Sequence, residues 1–421
     1  MLTAVVGINW GDEGKGRMVD LLSSQYDIIV RYQGGNNAGH TVVTEQGKFI
    51  LNLLPSGILR PEAVNIMGVG MVIDIEHLIG EIGRLREKGI EITPDNLKIS
   101  DRATICMPYH KLLDCLEEDR LADKKFGSTR RGIGPVYADK YMKKAVRMGD
   151  LFAPDKLPEK VADLTEWKNL TVRGYGHEPV KAEDILAWLH EFGDPIKPYI
   201  TDVSDYLYDA AAAGENIMFE AQLGALRDIE FGIYPYTSSS CTLAGYAPIG
   251  AGIPGLKLDK TIGIMKAYSS CVGEGPFTVE MFGDEAEALR RAGGEYGAAT
   301  GRPRRVGAFD VPASRYGVRM HGADCVALTK LDVLSYMEKI PVCVAYDING
   351  EITEKFPVGE RLNAAKPVFE YMEGFGDISG CRKPEDLPKA AMDYIRYLEA
   401  AVGCKIKYVS VGAGRDEYVE L

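Results

Sequence analysis

A glycine-rich stretch near the N-terminus combines two acids with a lysine. Residues 10–16, WGDEGKG, follow the apolar run Thr3–Asn9 and lead into a predicted helix that begins RMVDLL. The three glycines allow backbone amides to converge on an anion at the helix N-terminus, and Lys15 adds a positive charge. Because Asp12 and Glu13 would repel a bare phosphate, Asp12 needs a role of its own. A carboxylate there is suited to proton transfer or to binding the Mg²⁺ that accompanies phosphates.

The same stretch fails as a Walker loop. The Walker pattern G-x-x-x-x-G-K-[ST] needs a glycine where Asn9 lies and a hydroxyl where Gly16 lies. Two interpretations remain open: a phosphate site with an acid beside it, or a tight strand-to-helix turn with Asp12 as the helix N-cap. The residue types alone give Glu13 no role beyond a place at the helix N-terminus, where the helix dipole favours an acid.

A second glycine-rich loop supplies a histidine. Residues 33–41, QGGNNAGHT, follow the β-rich run Tyr26–Tyr32 and include His40. We expect the two loops to end neighbouring strands of a parallel sheet, whose carboxyl ends share one edge. An acid and an imidazole facing one cleft are suited to proton transfer and to stabilising a developing oxyanion. A purely structural histidine is the alternative.

The rest of the chain repeats the alternation of strand, loop and helix. Further buried strands are predicted within residues 216–222, 261–270, 325–332, 342–348 and 406–414. This order predicts an α/β fold of the P-loop-NTPase type, with a large central, mostly parallel β-sheet, flanking helices and helical insertions. Apolar residues at helical spacing from Ala391 to Val402 predict a C-terminal helix on the sheet. We expect residues 1–421 to form a single domain, with a polar helical insertion around 153–200.

Two later segments point to nucleotide and anion binding. Residues 329–332, TKLD, resemble the [NT]-K-x-D element with which GTP-binding proteins read guanine. A carboxylate can accept from the ring N–H and the 2-amino group of guanine, and adenine offers neither donor there. A surface helix cap is the alternative for so short a pattern. Arg302, Arg304 and Arg305 lie in a segment rich in glycine and proline, which predicts capture of a carboxylate or phosphate.

Composition excludes several classes of protein. A net charge of -12 argues against sequence-independent binding to nucleic acid or to an anionic membrane. The 8 cysteines are scattered without metal-ligand spacing, which is typical of reduced thiols in the cytosol. We find no signal peptide and no apolar stretch that would span a bilayer. We therefore expect a soluble, cytoplasmic protein with no nucleic-acid and no membrane partner.

Eight segments match one known family in order and spacing. They are WGDEGKG (10–16), RYQGGNNAGHT (31–41), LLPSGIL (53–59), RRGIGPVYADK (130–140), YPYTSSS (234–240), KAYSSCVGEGPFTVE (266–280), ATGRPRR (299–305) and TKLDVL (329–334). Over essentially its whole length the chain thus resembles adenylosuccinate synthetases. That family joins inosine monophosphate (IMP) and L-aspartate while GTP is hydrolysed to GDP and phosphate. The resemblance implies a homodimer with one Mg²⁺ in each active site.

The resemblance also implies a division of roles. Asp12 would take the proton from N1 of the hypoxanthine so that O6 attacks the γ-phosphate of GTP. His40 would stabilise the charge that builds up, and the aspartate amine would then displace phosphate from the 6-phosphoryl intermediate. Mg²⁺ would be held by Asp12 and the carbonyl of Gly39.

The binding residues implied by the resemblance form three overlapping sets. GTP would contact Gly11, Asp12, Glu13, Gly14, Lys15, Gly16, Arg17, Gly39, His40, Thr41, Arg304, Lys330, Leu331, Asp332, Ser410, Val411 and Gly412. IMP would contact Asp12, Glu13, Gly14, Lys15, Asn37, Ala38, Gly39, His40, Thr129, Lys143, Gln222, Leu223, Ser238 and Arg302. Aspartate would contact Ala298, Ala299, Thr300, Gly301, Arg302 and Arg304.

Three positions depart from the family pattern. Lys143 stands where the family has an arginine that reaches across the dimer interface to the nucleotide phosphate. In residues 219–224, FEAQLG replaces FEGAQG, so Leu223 stands where a nucleotide-binding glutamine is expected and Gln222 lies one position earlier. In residues 410–413, SVGA replaces the STGP-like guanine loop.

These departures leave two alternatives to an IMP–aspartate ligase. The first is a paralogue that adds aspartate to another purine monophosphate such as dGMP. The retained Asp12 favours hypoxanthine, since a neighbouring 2-amino group would crowd that carboxylate. The second is a GTP-binding regulatory protein without ligase activity, in which the arginine-rich segment and His40 would have no role.

Overall fold

The structure, a computed structural model, describes residues 1–44, 47–296, 301 and 303–421. The strands in these residues are β1 (Leu2–Gly7), β2 (Ile28–Arg31), β3 (His40–Thr44), β4 (Gly47–Leu51), β5 (Val64–Met67), β6 (Val72–Ile73), β7 (Leu97–Ser100), β8 (Thr104–Ile105), β9 (Ile200–Thr201), β10 (Ile217–Glu220), β11 (Lys260–Lys266), β12 (Ser269–Cys271), β13 (Arg305–Gly307), β14 (Phe309–Asp310), β15 (Cys325–Thr329), β16 (Lys339–Ile348), β17 (Glu351–Thr353), β18 (Ala365–Glu373), β19 (Ile406–Ser410) and β20 (Tyr418–Glu420).

The helices complete an α/β fold, which confirms the predicted class. They are α1 (Lys15–Leu22), α2 (Ile75–Glu87), α3 (Pro108–Leu121), α4 (Ile133–Met142), α5 (Leu157–Gly174), α6 (Ala182–Gly193), α7 (Val203–Ala212), α8 (Ala247–Ala251), α9 (Gly283–Gly293), α10 (Val311–His321), α11 (Glu360–Asn363) and α12 (Lys389–Val402). Within the described residues, no helix is both long and apolar enough to cross a membrane.

A 10-stranded sheet positions the glycine-rich loops. Its order is β20-β19-β15-β11-β1-β10-β2-β5-β7-β9, and every pairing is parallel except that of β19 with β20. The central strands are buried on both faces. On β1, Ala4 and Val6 pack in one apolar cluster, while Val5 packs in another with Met18 and Val19 of α1. Parallel strands of this kind need apolar residues throughout, which is why their sequences are continuous apolar runs.

One expectation about this sheet is wrong. We predicted that β1 and β2 would be neighbours, but β10 lies between them and pairs with both. In this register Phe219 aligns with Ala4 on one side and Val30 on the other. Since β10 is apolar on both faces up to Glu220, it fills the centre of the sheet and brings that acid between the two loops.

A second, smaller sheet contains the predicted strand at residues 342–348. Strand β16 pairs in parallel with β14 and antiparallel with β17 and β18. The apolar run was correctly predicted as a strand, but it does not extend the large sheet. Such runs show that a segment is buried without showing which neighbour buries it.

Residues 153–200 contain helices α5 and α6 and a short 3₁₀ segment at Asp194–Tyr199. Val161 on α5 and Leu189 on α6 are buried in one apolar cluster with Ile75 and Leu78 of α2. The segment is polar in composition, but its helices pack on the rest of the chain through buried apolar side chains. The predicted C-terminal helix is also present as α12, with Ala391, Tyr394, Ile395, Leu398 and Val402 buried.

A buried acid at the start of α10 makes stability depend on pH. Asp310 is the N-cap of α10, where it accepts from the Ala313 N–H at 3.0 Å and contacts the Tyr346 hydroxyl at 2.7 Å. Burial raises the pKa of Asp310 to about 7, although the hydrogen bonds from Tyr346 and Ala313 oppose this. In the unfolded chain the pKa of aspartate is about 3.9. The folded state therefore binds the extra proton between these values, and stability falls as pH rises from about 4 to 7.

We expect Asp310→Asn to remove this dependence, because asparagine keeps an acceptor for the helix N–H and never ionises. Above pH 7 the free energy of unfolding should rise by up to about 4 kcal/mol, the equivalent of the pKa difference. Thermal midpoints measured from pH 4 to 8 on both proteins provide the check. A difference between the two proteins that stays constant over this range would contradict the assignment.

Candidate active site

The backbone geometry of the loop after β1, at the start of α1, is suited to binding an anion. Gly11 and Gly14 have φ of 101° and 93°, and Asp12, between them, has φ of 58°. Gly14 is the N-cap of α1 and provides no side-chain hydrogen bond, so the first amides of the helix face outward. The alternative interpretation of Asp12 as the helix N-cap is therefore wrong. The amide groups and the helix dipole together favour a phosphate at this position.

The Glu13 side chain stabilises this loop through hydrogen bonds inside it. Its carboxylate accepts from the N–H groups of Asn9 at 3.1 Å and Gly11 at 2.8 Å, and from Lys15 Nζ at 2.6 Å. Both charged side chains are buried at about 2% exposure. Glu13 lies directly before the N-cap of α1, and its side chain has a role that the sequence did not reveal, since it closes the turn. Lys15 is also paired, so its charge is already partly balanced within the protein.

Asp12 points away from this internal network. Its side chain is 30% exposed, and Oδ2 lies 3.3 Å from Nη2 of Arg304. Arg304 also donates to Glu295 at 2.9 Å, which fixes the guanidinium between two carboxylates. Asp12 and Arg304, predicted from separate segments, therefore lie together in space.

His40 lies at the start of β3 and is held by an acid from β10. Its Nδ1 contacts Glu220 Oε1, and Glu220 also accepts from Ser56 N at 2.7 Å and Ser56 Oγ at 2.6 Å. A Cβ placed on Gly16 would lie 2.7 Å from the His40 Cβ, so only glycine lets α1 approach the histidine this closely. Because β10 separates β1 from β2, Glu220 reaches His40 from the intervening strand.

Burial and neighbouring charges determine the charge states of His40 and Glu220. Burial lowers the pKa of His40, and the Glu220 carboxylate opposes this only in part. Burial disfavours the charged form of Glu220, but His40, Arg31 and Ser56 outweigh it and keep the pKa of that carboxyl below its ordinary value. We infer a neutral imidazole at neutral pH that donates from Nδ1 to the Glu220 carboxylate. This fixes the ring orientation and leaves Nε2 for a ligand.

The TKLD segment lies beside the first loop. Thr329 Oγ1 donates to the Glu13 carbonyl at 2.6 Å, and Leu331 is fully buried. The segment is thus not at the surface, although Lys330 is the N-cap of the 3₁₀ segment Leu331–Tyr336. Asp332 Oδ1 is buried and finds no hydrogen-bond partner among the described residues, and burial raises the pKa of this acid. An orphaned acceptor of this kind is suited to a ligand that brings its own donors.

Arg17 joins α1 to the loop after β19. Its guanidinium contacts Ser410 Oγ and donates to the carbonyls of Gly414 at 2.6 Å and Glu417 at 3.0 Å. One turn later, Asp20 pairs with Arg415 at 2.7 Å. Helix α1, which follows the first glycine-rich loop, thus also anchors the predicted guanine loop.

The other predicted contact residues differ in how far they are exposed. Thr41, Thr129, Lys143 and Gly39 are exposed, while Asn37, Ala38, Leu223, Ser238 and Gly412 are partly buried and Val411 is buried. Gln222 is fully buried and donates to the Gly35 carbonyl at 2.7 Å. Leu223 follows it with φ of 59°. Of the predicted aspartate-binding residues, Ala298, Ala299, Thr300 and Arg302 lie outside the described residues, and Gly301 is exposed.

Arg304 and Arg305 of the arginine-rich segment contact different parts of the chain. Arg304 reaches Asp12, as described above, whereas Arg305 donates to Glu280 at 2.9 Å and to the Gly275 carbonyl at 2.7 Å. Arg305 thus stabilises the loop that contains Gly275 and Glu280. The predicted capture of a ligand carboxylate or phosphate does not include Arg305.

Sequence reasoning missed two buried acids. Glu220 ends the apolar strand IMFE, and an acid at the carboxyl end of a central strand is a signal that could have identified it. Glu295 contacts Lys266, Lys330 and Arg304. It stands in the unremarkable stretch GGEYG, where nothing in the sequence marks it.

Comparison with known proteins agrees with this geometry. The sequence model of the family "Adenylosuccinate synthetase" matches residues 4–419. The adenylosuccinate synthetases of Caldanaerobacter subterraneus and Carboxydothermus hydrogenoformans are 44% and 45% identical, over 100% of this chain and 99% of each relative. The fully ligated adenylosuccinate synthetase of Plasmodium falciparum superposes with a TM-score of 0.92 at 34% identity, over 100% of this chain and 99% of that one.

A more distant structure shares only the fold. The succinoaminodeoxyadenylate synthetase of cyanophage S-2L, bound to dGMP and dATP, has a TM-score of 0.60 and 18% identity, over 100% of this chain and 95% of its own. The much higher similarity to the first group, over almost the full length of each protein, decides the assignment. The chain belongs to the adenylosuccinate synthetase family, whose members join IMP and L-aspartate at the expense of GTP.

Proposed function

We propose that this chain ligates L-aspartate to IMP through a 6-phosphoryl intermediate, with Asp12 as the general base. The supporting observation is the position of Asp12: its carboxylate is partly exposed beside an anion-binding helix start, while its neighbour Glu13 is turned inward. Asp12 takes the proton from N1 of the hypoxanthine, O6 attacks the γ-phosphorus, and GDP leaves. The aspartate amine then attacks C6, and phosphate leaves with the O6 oxygen.

His40 is proposed to stabilise the transferred phosphoryl group. The ring is neutral in the ligand-free chain, but phosphates bound nearby favour the protonated imidazole, and the Glu220 carboxylate supports that form. Protonated Nε2 then donates to a phosphoryl oxygen as charge develops on it.

GTP is proposed to lie along α1, with its phosphates at the loop of residues 11–17 and its base at Asp332. The orphaned Oδ1 of Asp332 supports this, since guanine offers an N–H and a 2-amino group to such an acceptor. The guanine pocket is completed by Lys330 and by residues 410–412, which Arg17 anchors.

We expect Asp332→Asn to reduce the preference for GTP over ATP at least about 30-fold, because the amide replaces one acceptor by a donor that opposes the guanine N–H groups. The kcat/KM values for the two nucleotides, with IMP and aspartate saturating, measure the preference. Asp416→Asn, which makes the same change at an exposed acid, is the matched control and should leave it unchanged. An unaltered preference in Asp332→Asn would exclude this residue as the guanine reader.

One Mg²⁺ per site is proposed to be held by Asp12 and the carbonyl of Gly39. The donor set fits, because the Asp12 carboxylate and the Gly39 backbone are both solvent-accessible hard oxygen donors. No cluster of three or more His, Cys, Asp or Glu side chains occurs in the described part of the chain, so further ligands would come from phosphates and water. The ion, when bound, neutralises charge on the phosphates.

IMP is proposed to contact Asn37, Thr129, Ser238 and the loop at Gln222–Leu223, and aspartate the loop of residues 298–304. For the nucleotide phosphate we propose Lys143 acting across a homodimer. Lys143 ends α4 with φ of 62°, and the adjoining Tyr141 and Met142 are 72% and 57% exposed. Sedimentation of the purified chain would test the dimer.

The proposed reaction is tested with a panel of monophosphates at constant GTP and aspartate. We expect IMP to give adenylosuccinate with one GDP released per product. Turnover of dGMP but not of IMP would replace the proposed substrate. GTP hydrolysis that needs neither co-substrate would instead favour a regulatory GTPase.

A further inference from the structure

Glu295 is a buried carboxylate surrounded by positive charge. It lies just after α9 and has no exposed surface. Its Oε1 accepts from Lys266 Nζ and Lys330 Nζ, each at 2.8 Å, and from the Tyr268 hydroxyl at 2.5 Å. Its Oε2 accepts from Arg304 Nη1 at 2.9 Å. Burial disfavours the charged form, but Lys266, Lys330 and Arg304 outweigh it and hold the pKa of Glu295 well below its ordinary value.

Two of these cations belong to different segments of the proposed active site. Lys330 follows β15 in the TKLD segment, where guanine is proposed to bind. Arg304 belongs to the arginine-rich segment proposed for aspartate, and its second terminal nitrogen, Nη2, lies 3.3 Å from Asp12. The Arg304 N–H also donates to the Glu295 carbonyl at 2.9 Å, so side chain and backbone are both fixed on this one residue.

Free lysine and arginine side chains sample many rotamers, and ordering them on ligand binding costs conformational entropy. A shared anion orders both before any ligand arrives. Oε1 of Glu295 holds Lys330 and Oε2 holds Arg304, so one carboxylate fixes both side chains. No other carboxylate in the described residues is paired with both.

We propose that Glu295 is a positioning residue that ties the GTP side of the site to the aspartate side, by holding Lys330 and Arg304 on one carboxylate. This rests on the roles proposed above for those two cations. Glu295 itself contacts neither substrate. Its removal should therefore weaken the binding of GTP and aspartate while sparing that of IMP.

The test is Glu295→Gln, with Glu287→Gln as the matched control. Glu287 lies on α9 and pairs with Arg290 and Arg291 at the surface, so the control loses an acid of the same size outside the site. We expect Glu295→Gln to raise KM for both aspartate and GTP about tenfold or more, within the range found for residues that orient a ligand-binding group. KM for IMP should change less than about twofold, and Glu287→Gln should match the parent. An equal rise for all three substrates would overturn the proposal.

A second variant separates positioning from folding. Glu295→Gln leaves Lys266, which is 3% exposed, without its anion, and the protein would lose stability for that reason alone. Glu295→Gln combined with Lys266→Met removes both charges and should restore the thermal midpoint, while KM for aspartate and GTP stays high. Recovery of both KM values in the double variant would show that Glu295 only balances Lys266.

The proposed substrate roles are checked separately. Arg304→Lys should raise KM for aspartate, and Lys330→Met should raise KM for GTP. If neither does, the proposed function is wrong at these residues. If both do while Glu295→Gln does not, only the inference about Glu295 is wrong.

Discussion

Asp12→Asn should lower kcat about 1,000-fold or more, because it removes the proposed base for N1 and a proposed Mg²⁺ ligand in one step. Asparagine is the right replacement, since the residue has φ of 58°, which asparagine adopts more readily than alanine. The side chain is partly exposed, so the fold should be retained. The rate of adenylosuccinate formation, followed under single-turnover conditions, measures the loss.

A control is needed because Asp12 also pairs with Arg304. Binding of GTP and IMP to the variant, measured by calorimetry, should stay within about tenfold of the parent while the chemical step is lost. The thermal midpoint should change little, as is usual for a surface substitution without strain. Turnover near that of the parent would remove Asp12 from the mechanism.

Glu220→Gln should lower kcat about 100-fold with small changes in KM, because it removes the negative charge that favours protonated His40. The variant also changes the pH profile. Without the carboxylate the pKa of His40 falls further, so the alkaline limb of kcat, where activity is lost as His40 deprotonates, should move to lower pH. The pH profile of kcat checks this directly.

Ser56→Ala is the matched control for this prediction. It removes the hydroxyl that donates to Glu220 but keeps the carboxylate and the Ser56 N–H bond to it. We expect its kcat to fall less than tenfold, with an unshifted pH profile. A lower kcat in Glu220→Gln without movement of the alkaline limb would mean that Glu220 only packs against the ring.

Local patterns predicted most of the elements that form the site. The apolar runs that became β1, β11, β15 and β19 were identified because strands buried on both faces show no polar alternation. Helix α12 was identified by its helical spacing. The active-site candidates Asp12 and His40 followed from residue types that glycine-rich loops bring to strand ends.

Long-range pairing could not be predicted in the same way. The insertion of β10 between β1 and β2 depends on an alignment of Ala4 with Phe219, residues far apart in the chain, and neither local pattern encodes it. The same insertion brings Glu220 to His40. The inward orientation of the Glu13 side chain is a comparable case. Its partners Asn9 and Lys15 are near in sequence, but the carboxylate is directed towards them only because the loop has positive φ angles.

The position of β10 also has a consequence for the order in which the protein is made. During synthesis β1 and β2 leave the ribosome early, but the strand that joins them follows only at Ile217–Glu220. Until then both strands carry an unpaired inner edge, and His40 lacks its acid. The centre of the sheet is therefore closed only when about half of the chain has been made, by a contact of high sequence separation. A nascent chain that stops before residue 217 holds both glycine-rich loops but no assembled pair of His40 and Glu220.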